Sequence, residues 1–211
     1  MAGCCLAYDR QCAGGSVNMT RAVFLDRDGV LNALTYYADT GEHESPRTAA
    51  DLHVLPDVAD ALLRLQAAGW VLFIVSNQPS YAKGKCTLED LYGVAAALIQ
   101  NLETQDIHIR ACYYDYTHPQ AILADYRRES LTRKPAPGFL LQAAQDHDLH
   151  LPDCWMIGDR DTDIQCGQAA GCMTALVTAS ADSAKRGQSQ PTLTCETLTH
   201  FVDTLLKRET E

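Results

Sequence analysis

Short, continuously apolar runs alternate along this chain with amphipathic segments of helical period, and that alternation limits the fold more than any other feature. "AVFL" at 22–25, "WVLFIV" at 70–75, "IHIRACYYDY" at 107–116, "CWMIG" at 154–158 and "TALVT" at 174–178 read as strands. Between and after them lie helix signals. "DVADALLRLQAAG" follows Pro56 and closes on Gly69, a helix from about Thr87 to Leu102 has Thr87 as its N-cap, and "PGFLLQAAQDHD", "DIQCGQAAG" and "ETLTHFVDTLLKR" complete the set. Runs that are apolar on both faces belong in a sheet covered on both sides, and parallel strands need crossover helices. The sequence therefore predicts an α/β fold, a three-layer Rossmann-like parallel sheet flanked by helices.

A chain of 211 residues with 46% apolar residues can bury one full core. Residues 21–211 are expected to form a single domain, and residues 1–20, with Cys4, Cys5 and Cys12, a disordered leader. That leader has neither the basic start nor the apolar core of a secretory signal, and no apolar run approaches the ~20 residues of a membrane helix. The expected location is the cytoplasm, with no membrane partner. A net charge of −10 argues against nucleic acid but leaves room for a small anion met by local cations. Nine cysteines without a repeated CxxC suit reduced thiols better than disulfides. The oligomeric state stays open, leaning to a monomer.

In such sheets ligands bind beyond the carboxyl ends of the strands, so the residues just after each apolar run matter most. After the first come Asp26 and Asp28; after the second, Ser76, Asn77 and Gln78; before the helix at Pro137, Arg133 and Lys134; after the fourth, Asp159 and Asp163. Carboxylates gathered from separate strands form a hard-oxygen cluster suited to Mg²⁺, which would relieve their repulsion and screen an incoming phosphate. Lys134 adds a fixed positive charge. Ser76 can donate to a phosphoryl oxygen.

These residues, in this order, resemble the haloacid-dehalogenase-like (HAD) phosphatases: "DRDGVLN", then Ser76, then Lys134, then "GDRDTD". "FLDRDGVLN", "SNQ" and "RKPAPG" are similar to the subgroup of heptose 1,7-bisphosphate and histidinol-phosphate phosphatases. The resemblance implies a Mg²⁺-dependent phosphomonoester hydrolase acting on a small phosphorylated metabolite such as a heptose-type sugar phosphate, with histidinol phosphate as the alternative. Asp26 would attack phosphorus to give an aspartyl-phosphate, and Asp28 would move the protons. The metal would bind Asp26, the backbone carbonyl of Asp28, and Asp159, supported by Asp163. Ser76 and Lys134 would hold the phosphoryl group, and Asn77, Arg133, Lys83 and Arg160 would approach the substrate. The spacing leaves room for at most a minimal cap, so the loop "ALTYYADTGEHESP" would shield the site, with Tyr36 and Tyr37 as candidate substrate contacts.

One departure stands out. The subgroup commonly holds zinc before its Lys motif with Cys, His, Cys and Cys, and those places carry Asp115, Thr117, Ser130 and Thr132 here. Zinc is not expected, Cys112 and His118 being too few to replace the set. The loop from Tyr116 to Thr132 would then depend on its own packing, through Tyr113, Tyr114 and Tyr126. Two rivals to a phosphatase are a receiver module, which is shorter and lacks the second Asp, and a family member that binds without catalysis.

Overall fold

A computed structural model describes residues 20–179 and 186–210, so the expected leader, Thr20 apart, lies outside the described residues. Six parallel strands form one sheet in the order β5-β4-β1-β6-β7-β8. They are β1 (Ala22–Leu25), β4 (Val71–Asn77), β5 (Ile109–Asp115), β6 (Trp155–Gly158), β7 (Met173–Val177) and β8 (Leu193–Cys195). From β1 the chain winds outward through β4 to β5. It then returns to the other side of β1 and winds outward again from β6 to β8. This reversal at β1 opens a crevice beyond its carboxyl end.

Strand side chains alternate between two cores, as the pleat requires. Val23, Leu25, Leu72, Ile74, Trp155 and Ile157 pack with Leu62 and Leu65 of α1 (Val58–Ala67), Leu91 and Leu98 of α2 (Leu88–Glu103), and Phe201 and Leu205 of α5 (Leu198–Thr210). Phe24, Phe73, Val75 and Met156 pack on the opposite face with Phe139 and Leu140 of α3 (Gly138–His147) and Cys166 of α4 (Asp161–Ala170). The Phe24 and Phe73 rings sit 5.3 Å apart on adjacent strands. Truncating such a buried ring costs about 3–5 kcal/mol. The expected N-cap of α2 is present: Thr87 Oγ1 accepts from the Asp90 N–H, and Asp90 Oδ2 accepts from the Thr87 N–H.

Two elements differ from expectation. The strand β8, only three residues long, pairs in parallel with β7 and was too short to give a periodic signal. The segment read as a loop after Asn32 contains an antiparallel hairpin, β2 (Thr35–Tyr37) with β3 (Glu42–Glu44), turned at Gly41 with φ of 69°. An isolated two-stranded sheet is marginal in water. Here Arg47 lies over the Tyr37 ring at 3.9 Å, and the Tyr37 hydroxyl donates to Asp51 at 2.8 Å. Glu44 is paired with both Arg47 and Lys85. Among the described residues no helix is long and apolar enough to cross a membrane.

Candidate active site

Asp26 is the first residue beyond β1, and its N–H donates to the Ile157 carbonyl at 2.8 Å, extending the sheet to the lip of the crevice. The chain then closes a tight turn. The N–H groups of Leu31 and Asn32 donate to the Arg27 carbonyl, and Gly29 takes φ of 86°, a left-handed conformation that favours glycine. Three donors meet Asp26 Oδ1: the Arg27 N–H at 2.7 Å, the Ser76 hydroxyl at 2.7 Å and the Lys134 ammonium at 2.9 Å. With Oδ1 so engaged, Oδ2 is the less encumbered oxygen.

Lys134 also donates to the Val75 carbonyl at 2.7 Å and pairs with Asp163 Oδ1 at 2.7 Å, while only 3% exposed. Burial alone would lower its pKa, but the charges of Asp163 and Asp26 outweigh burial and raise it. Burial raises the pKa of Asp163, and Lys134 opposes that shift. Asp163 fits because residue 158 is glycine: a Cβ there would lie 2.1 Å from the Asp163 Cβ. Asp159, fully buried, completes the group. Asp26, Asp159 and Asp163 each offer a carboxylate oxygen, all within 4.8 Å of one another. Three crowded, buried carboxylates, two of them answered by Lys134, fit a hard divalent cation.

Asp28 is held differently. Its carboxylate accepts from the Arg27 guanidinium at 3.0–3.2 Å, from Asn32 Nδ2 at 3.0 Å and from Gln78 Nε2 at 2.6 Å. Arg27, itself only 1% exposed, also donates to Gln78 Oε1 at 2.8 Å. Burial would raise the Asp28 pKa, yet Arg27, then Asn32 and Gln78, hold it below the ordinary carboxylate range. Sequence reasoning did not place Arg27 or Asn32 in the site, and it set Gln78 beside Ser76 and Asn77 at the strand end without giving it a role.

Above this floor opens a cleft of about 640 Å³. Cations line much of it: Lys83, Arg133, Arg160 and Arg186, with His118 among them. His118 is kept below its usual pKa by burial and then by the charges of Lys83 and Arg133. Asn77 braces the lysine segment, its Nδ2 donating to the Lys134 carbonyl at 2.9 Å and its Oδ1 accepting from the Lys134 N–H at 3.1 Å. Arg160 Nε lies 3.7 Å from Asp159 Oδ1. Arg186 Nε donates to the Asp159 carbonyl at 2.6 Å. The polar stretch around Arg186 carried no sequence signal beyond a surface loop, yet Asp161 accepts from the Gln188 and Ser189 N–H groups and draws it to the cleft.

Several expectations need correction. Tyr37 braces the hairpin and Tyr36, 58% exposed, packs against His43 with its ring tilted, and neither lines the cleft. That wall is made by Glu42, His43, Glu44 and Ser45. Cys112 is buried in the core of β5, where burial pushes its thiol up to about 12. Tyr113 and Tyr114 are sheet residues packed in the two cores, and of the three expected tyrosines only Tyr126 lies in the loop, edge-on to Tyr81 at 5.0 Å. The four places where the resemblance implies zinc ligands do converge, but as one carboxylate that three hydroxyls donate to. Asp115 Oδ1 accepts from Thr117, and Oδ2 accepts from Ser130 and Thr132. With neither thiolate nor imidazole, this donor set does not fit zinc.

A family model for HAD-hydrolase-like proteins matches residues 131–201. The D-glycero-D-manno-heptose-1,7-bisphosphate 7-phosphatase of Thermosynechococcus vestitus is 38% identical over 160 residues, 74% of this chain and 78% of that protein. The chain belongs to the HAD-like phosphatases. Another relative, the D-glycero-beta-D-manno-heptose-1,7-bisphosphate 7-phosphatase of Escherichia coli K12, is 30% identical over 74% of this chain and 78% of its own length. A crystal structure of D,D-heptose 1,7-bisphosphate phosphatase from B. bronchiseptica, complexed with magnesium and phosphate, superposes with a TM-score of 0.73 at 25% identity. It covers 90% of this chain and 99% of that one. As a HAD phosphatase the chain is an enzyme that hydrolyses phosphate monoesters, which sets the receiver module aside.

Proposed function

We propose that this HAD phosphatase is magnesium-dependent and removes one phosphate from a small sugar that carries a second anionic group, with heptose 1,7-bisphosphate as the first substrate to test. The observation carrying this proposal is the cationic wall of Lys83, Arg133, Arg160 and Arg186 over a buried acid–lysine floor, in a chain whose net charge is −10. A second anion on the substrate gives that wall a partner. Histidinol phosphate has an amine and an imidazole in that place and suits the wall less well.

Asp26 and Asp159, beside Asp163 and with the Asp28 carbonyl that the family resemblance implies, would hold the Mg²⁺, whose charge would offset carboxylate repulsion and draw in the phosphate. Asp26 is the nucleophile: its bond to phosphorus forms as the bond to the sugar oxygen breaks. Ser76 and Lys134, already within reach of Asp26, hold the transferring group against its developing charge. Asp28 would have to leave its Arg27 and Gln78 partners and take up a proton from solvent, and it would then give that proton to the departing oxygen. It then takes a proton from the water that cleaves the aspartyl-phosphate, restoring Asp26 and releasing inorganic phosphate. Zinc has no part in this scheme. The six cysteines among the described residues are all free thiols, which suits a cytoplasmic setting.

The test is phosphate release from heptose 1,7-bisphosphate, a heptose monophosphate and histidinol phosphate, with Mg²⁺ and after chelation. The expected result is the highest kcat/KM for the bisphosphate, lost with chelator and restored by Mg²⁺. A preference for histidinol phosphate, or turnover that ignores chelation, would overturn the proposal.

A further inference from the structure

We infer that Asp115 is a positioning residue: a hydrogen-bonded hub that ties both ends of the 116–132 loop together without a metal and so aims Arg133 into the substrate cleft. The inference rests on the phosphatase proposed above and adds a residue that does not itself reach the substrate.

Asp115 ends β5 and is only 4% exposed. Both of its oxygens are used. Oδ1 accepts the Thr117 N–H at 2.9 Å and the Thr117 hydroxyl at 2.5 Å, which fixes the backbone where the loop begins. Oδ2 accepts the Ser130 and Thr132 hydroxyls, each at 2.6 Å, where the loop ends. The Ser130 and Thr132 hydroxyl oxygens also lie 2.8 Å apart, so the two groups reach Oδ2 side by side. One carboxylate thus receives four hydrogen bonds from residues on two sides of a long connection, a duty that elsewhere needs a metal clip or a packed core.

Arg133 is placed from both directions. It follows Thr132 directly, so its backbone is anchored from the Oδ2 side. Its Nη1 donates at 2.7 Å to the carbonyl of Thr117, whose orientation is set from the Oδ1 side. Burial tends to weaken the charge of Arg133, and the negative charge of Asp115 is the largest influence opposing that. Remove the Asp115 carboxylate and both holds on the guanidinium loosen, while Lys134 stays fixed by Val75, Asp26 and Asp163.

The inference is tested on the full chain with Asp115→Ala and Arg133→Ala, singly and together. Hydrogen exchange across residues 116–132 should speed up in Asp115→Ala and stay as in the wild type elsewhere in the sheet. KM for heptose 1,7-bisphosphate should rise by about 10- to 100-fold, the worth of one charge-assisted hydrogen bond, with kcat little changed. Adding Arg133→Ala should raise KM no further, because both changes remove the same contact. Asp115→Asn, which keeps one acceptor oxygen and the side-chain shape, should recover part of the affinity. If Asp115→Ala fails to fold, Ser130→Ala with Thr132→Val removes the Oδ2 half of the hub and carries the same expectations.

A fourfold exchange supplies a readout that needs no turnover. Asp115→Cys, Thr117→His, Ser130→Cys and Thr132→Cys together should bind one zinc ion, measured with zinc alone, because the four side chains meet at one point. Multiplicative KM effects in the double variant, or unchanged exchange in the loop, would overturn the inference. A wild type without turnover on any phosphate ester would defeat the functional proposal instead, and the exchange and zinc measurements would still decide whether the hub holds the loop.

Discussion

The ammonium of Lys134 stands 2.9 Å from Asp26 Oδ1, joining the end of β1 to a residue 108 positions later in the chain. It stands 2.7 Å from Asp163 as well, so one buried cation answers two carboxylates. Lys134→Met keeps the bulk and removes the charge. Breaking a buried pair by deleting one partner costs about 3–5 kcal/mol. The variant should lose about that much in urea unfolding without divalent ions, and added Mg²⁺ should restore part of it by binding only the folded chain. An unchanged unfolding midpoint would show that Lys134 does not neutralise the cluster.

Asp26 and Asp28, two residues apart, should respond differently to the same chemical change. Asp26→Asn leaves Lys134 paired with Asp163, so the protein should keep its melting temperature and lose turnover. Asp28→Asn leaves the guanidinium of Arg27 buried without its carboxylate. It should slow turnover by about 10²- to 10⁴-fold, the usual worth of a positioned proton donor, and also lower stability by about 3 kcal/mol. Calorimetry on both variants separates the two effects, and equal melting temperatures would contradict the cage around Asp28.

Two glycines make a matched pair. A Cβ at Gly158 would strike Asp163, and a Cβ at Gly167 would lie 2.6 Å from Thr174 and 2.7 Å from Met156. Either Gly→Ala change overpacks the interior at a cost of about 1–3 kcal/mol. Only Gly158→Ala should also weaken Mg²⁺ binding, followed by titration calorimetry, since only that side chain displaces a member of the acidic cluster. Equal Mg²⁺ affinity in both variants would remove Asp163 from the metal's surroundings.

The sheet was legible in the sequence because its strands are buried on both faces, so each shows as an unbroken apolar run. The floor of the site was legible for a related reason: Asp26, Ser76, Lys134 and Asp159 all lie where such runs end or a helix is about to begin. What escaped were contacts without a local pattern. Arg27 sits between two acids in a motif and gives no sign that its guanidinium turns back onto Asp28. Arg186 is brought to Asp159 by a polar segment whose anchor, Asp161, lies 27 residues from Gln188. The hairpin strands alternate over a partly solvated surface and are three residues each, too short for a period to register. The meeting of Asp115 with Ser130 and Thr132 is legible only once a tertiary structure folds 15 to 17 residues back on themselves.

The same carboxylate gives the protein a particular acid response. Burial would raise the Asp115 pKa, but hydrogen bonds from Ser130, Thr117 and Thr132 outweigh burial and hold it below its ordinary value. A group depressed in the folded state adds stability that is fully present above its unfolded pKa, about 3.9, and is lost as pH falls through the lower folded value. Asp115→Asn lacks that contribution at every pH. The wild type should therefore be the more stable protein at neutral pH, and the gap between the two should close on acidification below about pH 4 as Asp115 takes up its proton. Urea unfolding of both proteins across that range measures the gap. A difference independent of pH would mean that the Asp115 charge contributes nothing and that only its shape closes the loop.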